Sequence, residues 1–275
     1  MPLTPVPDLI AASRPGGLGA FNAITLEHAE AIASAAESTK LPVVIQLSEN
    51  TARYHGSLAP LALACLRIAA ESTAAVGVHL DHATTPELVY TAVELGIDSV
   101  MYDGAALDYA ANVATTAQLA RWCRDRGVHI EAELGEVGGK DGAHAPGART
   151  DPDEAVAFVA DTGIDALAVA VGSSHAMHTR DAELDNELIA RLAAKVPVPL
   201  VLHGSSGVPD AGLRAAVANG MRKINIATRL NIQLTDTIRT TLAHSPALSD
   251  PRKYLTPARH AVHTETERLL RLLAA

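Results

Sequence analysis

Histidine and aspartate side chains follow several short apolar segments of the sequence, where they could bind a metal ion. The residues concerned are His79, Asp81, His82, His175 and His203. Three neutral imidazole nitrogens with a fourth position left open are the usual ligands of a catalytic zinc ion. In a strand, His79 and Asp81 would share one face and His82 the other, so local bending must decide which histidine joins such a site.

The apolar segments recur along the whole chain, and helical patterns separate them. Most are short and rich in β-branched residues, which is typical of parallel strands buried on both faces. The predicted strands cover residues 19–23, 42–48, 76–82, 99–104, 128–135, 166–172, 199–204 and 223–228. Eight strands alternating with helices predict an α/β fold of the (β/α)8, or TIM, barrel type. Their carboxyl ends would converge at one mouth, where the histidines can meet.

A doubly wound open sheet is the alternative, but it usually has fewer strands and a glycine-rich first turn. Here the glycines of residues 16–19 precede the first strand, so they are interpreted as a loop. A short helix at 3–12 and a terminal helix at 257–273 would flank the barrel. No domain boundary is evident, so residues 1–275 are predicted to form a single domain.

Residues 138–149 interrupt the alternation after the fifth strand. They are rich in Gly and Ala and have no hydrophobic period. A flexible loop at the carboxyl end of a barrel strand is where a lid would lie, so we expect a mobile active-site loop. A plain surface loop is the alternative.

The amino-acid composition argues against some classes of binding partner and indicates the cellular compartment. The 275 residues are 48% hydrophobic, and 22 basic against 31 acidic residues give a net charge of −9. Such acidity argues against nucleic acid or a membrane surface as partner. Cys65 and Cys123 are the only cysteines, which fits a reducing compartment. With no secretion signal or membrane-spanning run recognised in the sequence, a cytoplasmic location is expected.

The ordered motifs resemble the class II, metal-dependent ketose-bisphosphate aldolases, which include the fructose- and tagatose-bisphosphate enzymes. The resemblance extends over nearly the whole chain. The matching segments are GAFNA, HLDHA, SVMYDGA, EAELGEVGG, TDPDEAVAFV, TGIDALAVAVGSSH, PLVLHGSSG and KINIAT. Such an ordered set is far more specific than one short motif.

The resemblance implies a role for each matching residue. His82, His175 and His203 would bind Zn2+, and Asp81 would be the catalytic acid and base. The phosphate of dihydroxyacetone phosphate would be bound by Gly204, Ser206, Asn225 and Thr228, and the substrate pocket would include Asn22 and Ser48. The resemblance further implies a small phosphorylated sugar as substrate, a homodimer or homotetramer, and a monovalent cation near the second metal ligand.

Several positions differ from the family pattern or allow two interpretations. Glu133 shares a strand face with Glu131; it could hold a ligand histidine or the metal, or be a core carboxylate with a neighbouring partner. Asp141 follows Lys140 in the loop and is a candidate for proton transfer at C3 of dihydroxyacetone phosphate. Ala227 is typical of tagatose-type enzymes, and Asn231 stands where many members have a cation for the distal phosphate. Arg229, Arg252 and Arg259 are candidates to replace that cation.

Two other functions remain as alternatives to this enzyme. A Schiff-base aldolase needs a lysine at the barrel mouth, but Lys140 is in a loop, Lys195 precedes a strand and Lys223 begins one. A non-catalytic sugar-phosphate-binding barrel would be expected to lack an acid or a metal ligand. Within the aldolase interpretation, another phosphorylated ketose or a sugar acid could be the substrate.

Overall fold

Eight parallel strands pair in chain order and close into a barrel, as the sequence predicts. The computed structural model describes residues 3–134, 149–174, 177 and 179–275. The strands are β1 Leu18–Asn22, β2 Val43–Ser48, β3 Val76–Ala83, β4 Ser99–Tyr102, β5 His129–Leu134, β6 Ala166–Val169, β7 Leu200–Leu202 and β8 Met221–Ile226. The bounds of each strand lie within two residues of its predicted segment, except that β6 ends three residues earlier than predicted.

Helices connect successive strands and surround the barrel. They are α1 Val6–Ala12, α2 Leu26–Thr39, α3 Glu49–His55, α4 Ala59–Glu71, α5 Pro86–Glu94, α6 Tyr109–Arg124, α7 Pro152–Thr162, α8 Asn186–Lys195, α9 Asp210–Ala218, α10 Thr228–His244 and α11 Pro251–Ala274. Helix α7 begins at a capping residue, since the Asp151 side chain accepts from the backbone N–H groups of Asp153 and Glu154. In the described part of the chain, no helix is long and apolar enough to cross a membrane.

Helix α1 closes the amino-terminal end of the barrel. Its Val6, Leu9 and Ile10 pack in one buried cluster with Leu18 of β1 and Val44 of β2. This plug leaves the opposite end, where the strands terminate, as the mouth of the barrel. Full burial of each such side chain contributes about 1.5–3 kcal/mol to folding.

The last helix begins earlier than predicted. The sequence places its start at Pro257, but α11 starts at Pro251, and Pro257 lies inside it. The true start signal is Asp250, whose side chain accepts from the backbone N–H of Arg252, followed by proline in the first turn. Helix α11 buries Leu269, Leu270 and Leu273 in the main core.

Both apolar and polar side chains fill the interior of the barrel. Met101, Ala166, Ala168 and Val201 form a small apolar cluster separate from the layer between strands and helices. Buried polar side chains occupy much of the remaining interior. They include Gln46, His79, Asp81, Asp103, Glu131, Glu133, His203, Lys223 and Asn225. Buried polar groups need partners, so their pairing defines the candidate site.

Candidate active site

A backbone irregularity at the end of β3 decides which histidine reaches the mouth. The β3–β4 register shifts between Leu80 and Ala83, and His82 has a φ of 52°. This left-handed conformation breaks the strand alternation, and His82 Nε2 lies 3.9 Å from Asp81 Oδ1. His79 lies deeper, with Nδ1 2.8 Å from Ser99 Oγ. His82 is therefore the β3 histidine of the site.

Two amides, one from β1 and one from β8, hold the Asp81 carboxylate. Asn22 Nδ2 donates to Oδ2 at 2.8 Å, and Asn225 Nδ2 donates to Oδ1 at 3.2 Å. Gln46 Nε2 in turn donates to Asn22 Oδ1 at 3.1 Å. Burial alone would raise the pKa of Asp81, but His82, His203 and Lys223 together outweigh it, so its pKa lies below the usual value. The carboxylate is therefore ionised and fixed in orientation at neutral pH.

His82 and His203 face each other across the mouth. His82 Nε2 and His203 Nδ1 lie 2.9 Å apart. The other nitrogen of each ring donates to a carboxylate: His82 Nδ1 to Asp103 Oδ2 at 2.9 Å, and His203 Nε2 to Glu131 Oε1 at 2.9 Å. Carboxylates commonly orient metal-binding histidines in this way.

This geometry fits a cation between the two rings. Each neutral ring donates its one N–H to a carboxylate, so the nitrogen that faces the other ring has a lone pair. Two lone pairs at this distance repel each other unless a proton or a metal ion lies between them. Ligand atoms of Asp81, His82 and His203 lie within 4.8 Å of one another, and so do those of His82, Asp103 and Glu133. Nitrogen and oxygen donors of this kind suit zinc.

The two glutamates of β5 have different surroundings. Glu131 is 1% exposed at its side chain and binds both His203 and Lys223, whose Nζ is 2.8 Å from Oε2. Burial would raise the pKa of Glu131, but Lys223 and the nearby histidines outweigh it and lower the pKa. Glu133 Oε2 lies 3.9 Å from His203 Nδ1, next to the facing nitrogens.

Loops after β7 and β8 build the region predicted to bind phosphate. Gly204 has a φ of 67°, and a Cβ there would lie 2.6 Å from the Ser174 backbone, so a side chain would clash. Ser206 Oγ accepts from the backbone N–H groups of Ala227 and Arg229 at 3.3 and 3.2 Å. Thr228, predicted at the end of a strand, is the first residue of α10. The backbone donors at the start of α10 thus lie next to the Ser205–Gly207 turn.

Ser48 and the three candidate arginines are engaged in local contacts. Ser48 lies opposite Asp81 in the β2–β3 register, and its Oγ accepts from Thr51 N at the start of α3. Arg229 pairs with Glu265, Arg252 with Asp250, and Arg259 with Glu30. Each arginine is thus paired with a carboxylate of its own chain.

Some predicted residues lie outside the described part of the chain. These are His175, Asp141, Lys140 and residues 138–148 of the predicted loop. Arg149, the last residue of that predicted loop, is described and exposed.

Sequence reasoning did not assign three residues that the structure places beside the site. They are Gln46, Asp103 and Lys223. Gln46 and Asp103 carry a usable signal, because each is a polar residue at an inward position near the end of a strand. For Lys223 the sequence signal is misleading. Its position early in β8 predicts that it lies far from the mouth of the barrel, whereas its long side chain reaches Glu131.

A parallel barrel with histidines and carboxylates converging at its mouth defines a barrel enzyme with a general acid–base site. The model of the family "Fructose-bisphosphate aldolase class-II" matches residues 9–275. A probable fructose-bisphosphate aldolase of Bacillus subtilis is 37% identical over 268 residues, covering 95% of this chain and 94% of that protein. A fructose-bisphosphate aldolase of Thermus caldophilus is 38% identical over 273 residues, covering 90% and 89%.

Solved structures agree with the sequence comparison. The crystal structure of the YdjI aldolase from Escherichia coli K12 has a TM-score of 0.87 and 28% identity, covering 98% of this chain and 97% of that chain. The chain therefore belongs to the class-II fructose-bisphosphate aldolase family, as its motifs predict. It is an aldolase, a carbon–carbon lyase, and its reaction is the aldol cleavage of a ketose bisphosphate.

Proposed function

We propose that this chain is a Zn2+-dependent aldolase that cleaves fructose 1,6-bisphosphate or tagatose 1,6-bisphosphate to dihydroxyacetone phosphate and an aldehyde. The observation that carries the proposal is the 2.9 Å approach of His82 Nε2 to His203 Nδ1, with a carboxylate on the far nitrogen of each ring. His82 and His203 would bind the ion together with His175, whose role rests on the sequence resemblance. A bound zinc ion supplies Lewis acidity that stabilises negative charge on the ketone oxygen during cleavage.

Asp81 is the acid and base of this proposal. Its carboxylate takes the proton of the C4 hydroxyl during cleavage and returns it during condensation. Asn22 and Asn225 hold both carboxylate oxygens, which keeps the base in one orientation. Because the pKa of Asp81 is lowered, the base is in its ionised form at neutral pH.

The phosphate of dihydroxyacetone phosphate would lie between the β7 and β8 loops. Gly204 allows close approach of the backbone, Ser206 and Thr228 offer hydroxyls, and Asn225 offers an amide. Backbone N–H groups and hydroxyls at the last two strands of a barrel are a common phosphate site. Ser48, Glu133 and Asp141 remain candidates for substrate contact, metal contact and proton transfer at C3.

The aldehyde half is the least constrained part of the substrate. Ala227 offers no carboxylate and Asn231 no cation, and the three candidate arginines pair with carboxylates of their own chain. A distal phosphate without a cationic partner loses its strongest hydrogen bonds. Tagatose bisphosphate and other ketose bisphosphates are therefore alternatives to fructose bisphosphate as the preferred substrate.

The ratio of kcat/KM for fructose and tagatose bisphosphates tests this substrate assignment. We expect both to be cleaved, with no preference for fructose bisphosphate above about a hundredfold, which corresponds to roughly 2.7 kcal/mol. A larger preference would show that Ala227 and Asn231 were misinterpreted. Zinc analysis of His203→Ala in the same series should show loss of metal and activity together, and full activity without metal would overturn the mechanism.

A homodimer or homotetramer, a monovalent cation and a cytoplasmic location complete the proposal. All three rest on the sequence. Sedimentation analysis would test the first, and activity in buffers that contain K+, Na+ or neither would test the second.

A further inference from the structure

Glu131 and Lys223 form an ion pair deep inside the barrel that the proposed reaction does not use directly. Lys223 Nζ lies 2.8 Å from Glu131 Oε2, and the two side chains are 0% and 1% exposed. Taking both charges out of water is costly, and well-packed apolar residues often stabilise a protein as much or more. Stability alone therefore does not account for this pair.

The second oxygen of Glu131 binds the site histidine. Oε1 accepts from His203 Nε2 at 2.9 Å, which leaves Nδ1 as the nitrogen that faces His82. Lys223 is a donor only, so Glu131 beside it acts as an acceptor. Asn225 Nδ2 lies 3.1 Å from His203 Nε2 but donates to Asp81 Oδ1, so the proton of a neutral His203 ring lies on Nε2, towards Glu131. The lone pair of His203 therefore lies on Nδ1, at the mouth.

We propose that Glu131 and Lys223 are positioning residues that fix the orientation and tautomer of His203 and thereby set the affinity of the site for Zn2+. The inference rests on the proposed function, because it takes His203 to be a metal ligand. Lys223 on β8 contacts Glu131 on β5, and Glu131 contacts His203 at the end of β7. Residues from two other strands therefore control the orientation of His203. Such outer partners typically affect metal affinity 10–100-fold.

Two single variants test the proposal, with Zn2+ affinity measured by competition with a chromophoric chelator. Lys223→Met keeps the length of the side chain without its charge, and we expect about 10–100-fold weaker Zn2+ binding. Glu131→Gln should weaken it similarly. Its amide oxygen would face Lys223, so its NH2 would donate to His203 Nε2 and move the ring proton to Nδ1.

The double variant Lys223→Met/Glu131→Gln and a matched control complete the series. If both residues act through His203, the loss of affinity in the double variant should be smaller than the product of the two single losses. Thr266→Val is the control, because it removes a buried hydrogen bond from Thr266 Oγ1 to Val262 O within α11, without touching Glu131, Lys223 or His203. It should bind Zn2+ as the unmodified protein does.

A second readout reports the ligand set itself. The visible spectrum of the Co2+-loaded protein should change in Lys223→Met and Glu131→Gln and stay the same in Thr266→Val. Circular dichroism would show which variants fold; if Lys223→Met does not, the neutral double variant carries the test.

Folded variants with Zn2+ affinity within threefold of the unmodified protein and an unchanged Co2+ spectrum would overturn the inference. A different result would contradict the proposed function itself. That result is unchanged Zn2+ binding in His203→Ala.

Discussion

The surroundings of Asp81 define its role more closely than its place in the sequence does. Asp81 is 3% exposed, both of its carboxylate oxygens accept from amides, and His82 lies beside it. We expect Asp81→Asn, which keeps the shape, to lower kcat about 10²–10⁴-fold while retaining bound Zn2+. Proton exchange at C3 of dihydroxyacetone phosphate should survive better than carbon–carbon cleavage, as measured by NMR and a coupled assay.

Asp165→Asn provides the matched control for this prediction. Asp165 lies at the opposite end of the barrel, where its carboxylate accepts from the backbone N–H of Ile130. This variant should keep its activity. Equal loss of exchange and cleavage in Asp81→Asn would instead assign Asp81 to positioning the metal.

His28 should make stability depend on pH. Burial lowers its pKa from 6.5 to about 4, so the folded protein binds this proton less readily than the unfolded chain. Stability from this group is present above pH 6.5 and is lost as the pH falls towards 4. Between pH 8 and pH 5 it should contribute a loss of about 2 kcal/mol in the free energy of unfolding.

Urea unfolding at several pH values would measure this contribution. His28→Gln should remove this part of the pH dependence. A variant as sensitive to pH as the unmodified protein would show that other groups account for the whole effect.

Two elements depend on local features that the hydrophobic pattern does not carry. Strand alternation places His82 on the outer face of β3, but a shifted register and a φ of 52° bring it to the mouth. Helix α11 begins at Asp250 and Pro251, because a capping side chain there outweighs the helix-start signal of Pro257. In both cases local hydrogen bonding and backbone geometry decide, whereas the hydrophobic pattern correctly gives the type and order of the strands.

Gly204 is predicted to be indispensable to the loop after β7. An alanine there would adopt a left-handed backbone and clash with the Ser174 backbone, so Gly204→Ala should cost about 2–5 kcal/mol of stability. It should also raise the KM for the bisphosphate substrate, because the loop would shift. Thermal unfolding and steady-state kinetics would measure the two effects.

Gly56→Ala is the matched control for the loop. Gly56 has a φ of 75°, but nothing lies within 4 Å of its added Cβ. It should cost only about 1–2 kcal/mol and leave KM unchanged. Equal effects in the two variants would show that backbone strain, and not the contact with Ser174, governs the site.

At the scale of the whole molecule, the barrel and its polar mouth could be predicted, but the interior connections could not. Short apolar segments that end in His, Asp or Ser predict both the strands and the end of the barrel at which the polar side chains meet. The contact between Glu131 and Lys223 joins residues 92 positions apart, and it depends on strand register and side-chain length. The length of the Lys223 side chain is known from the sequence, but the register is not, because closing the barrel sets it.

The central claim is that a metal ion held by histidines, and not a lysine Schiff base, supports cleavage in this barrel. The most direct measurement is cleavage of fructose and tagatose bisphosphates by protein stripped of metal with a chelator, then titrated with Zn2+, with a parallel sample treated with borohydride and substrate. We predict loss of activity on stripping, recovery at one Zn2+ per chain and no effect of borohydride. Full activity of the metal-free protein, or a borohydride-trapped adduct on a lysine such as Lys223, would contradict the account.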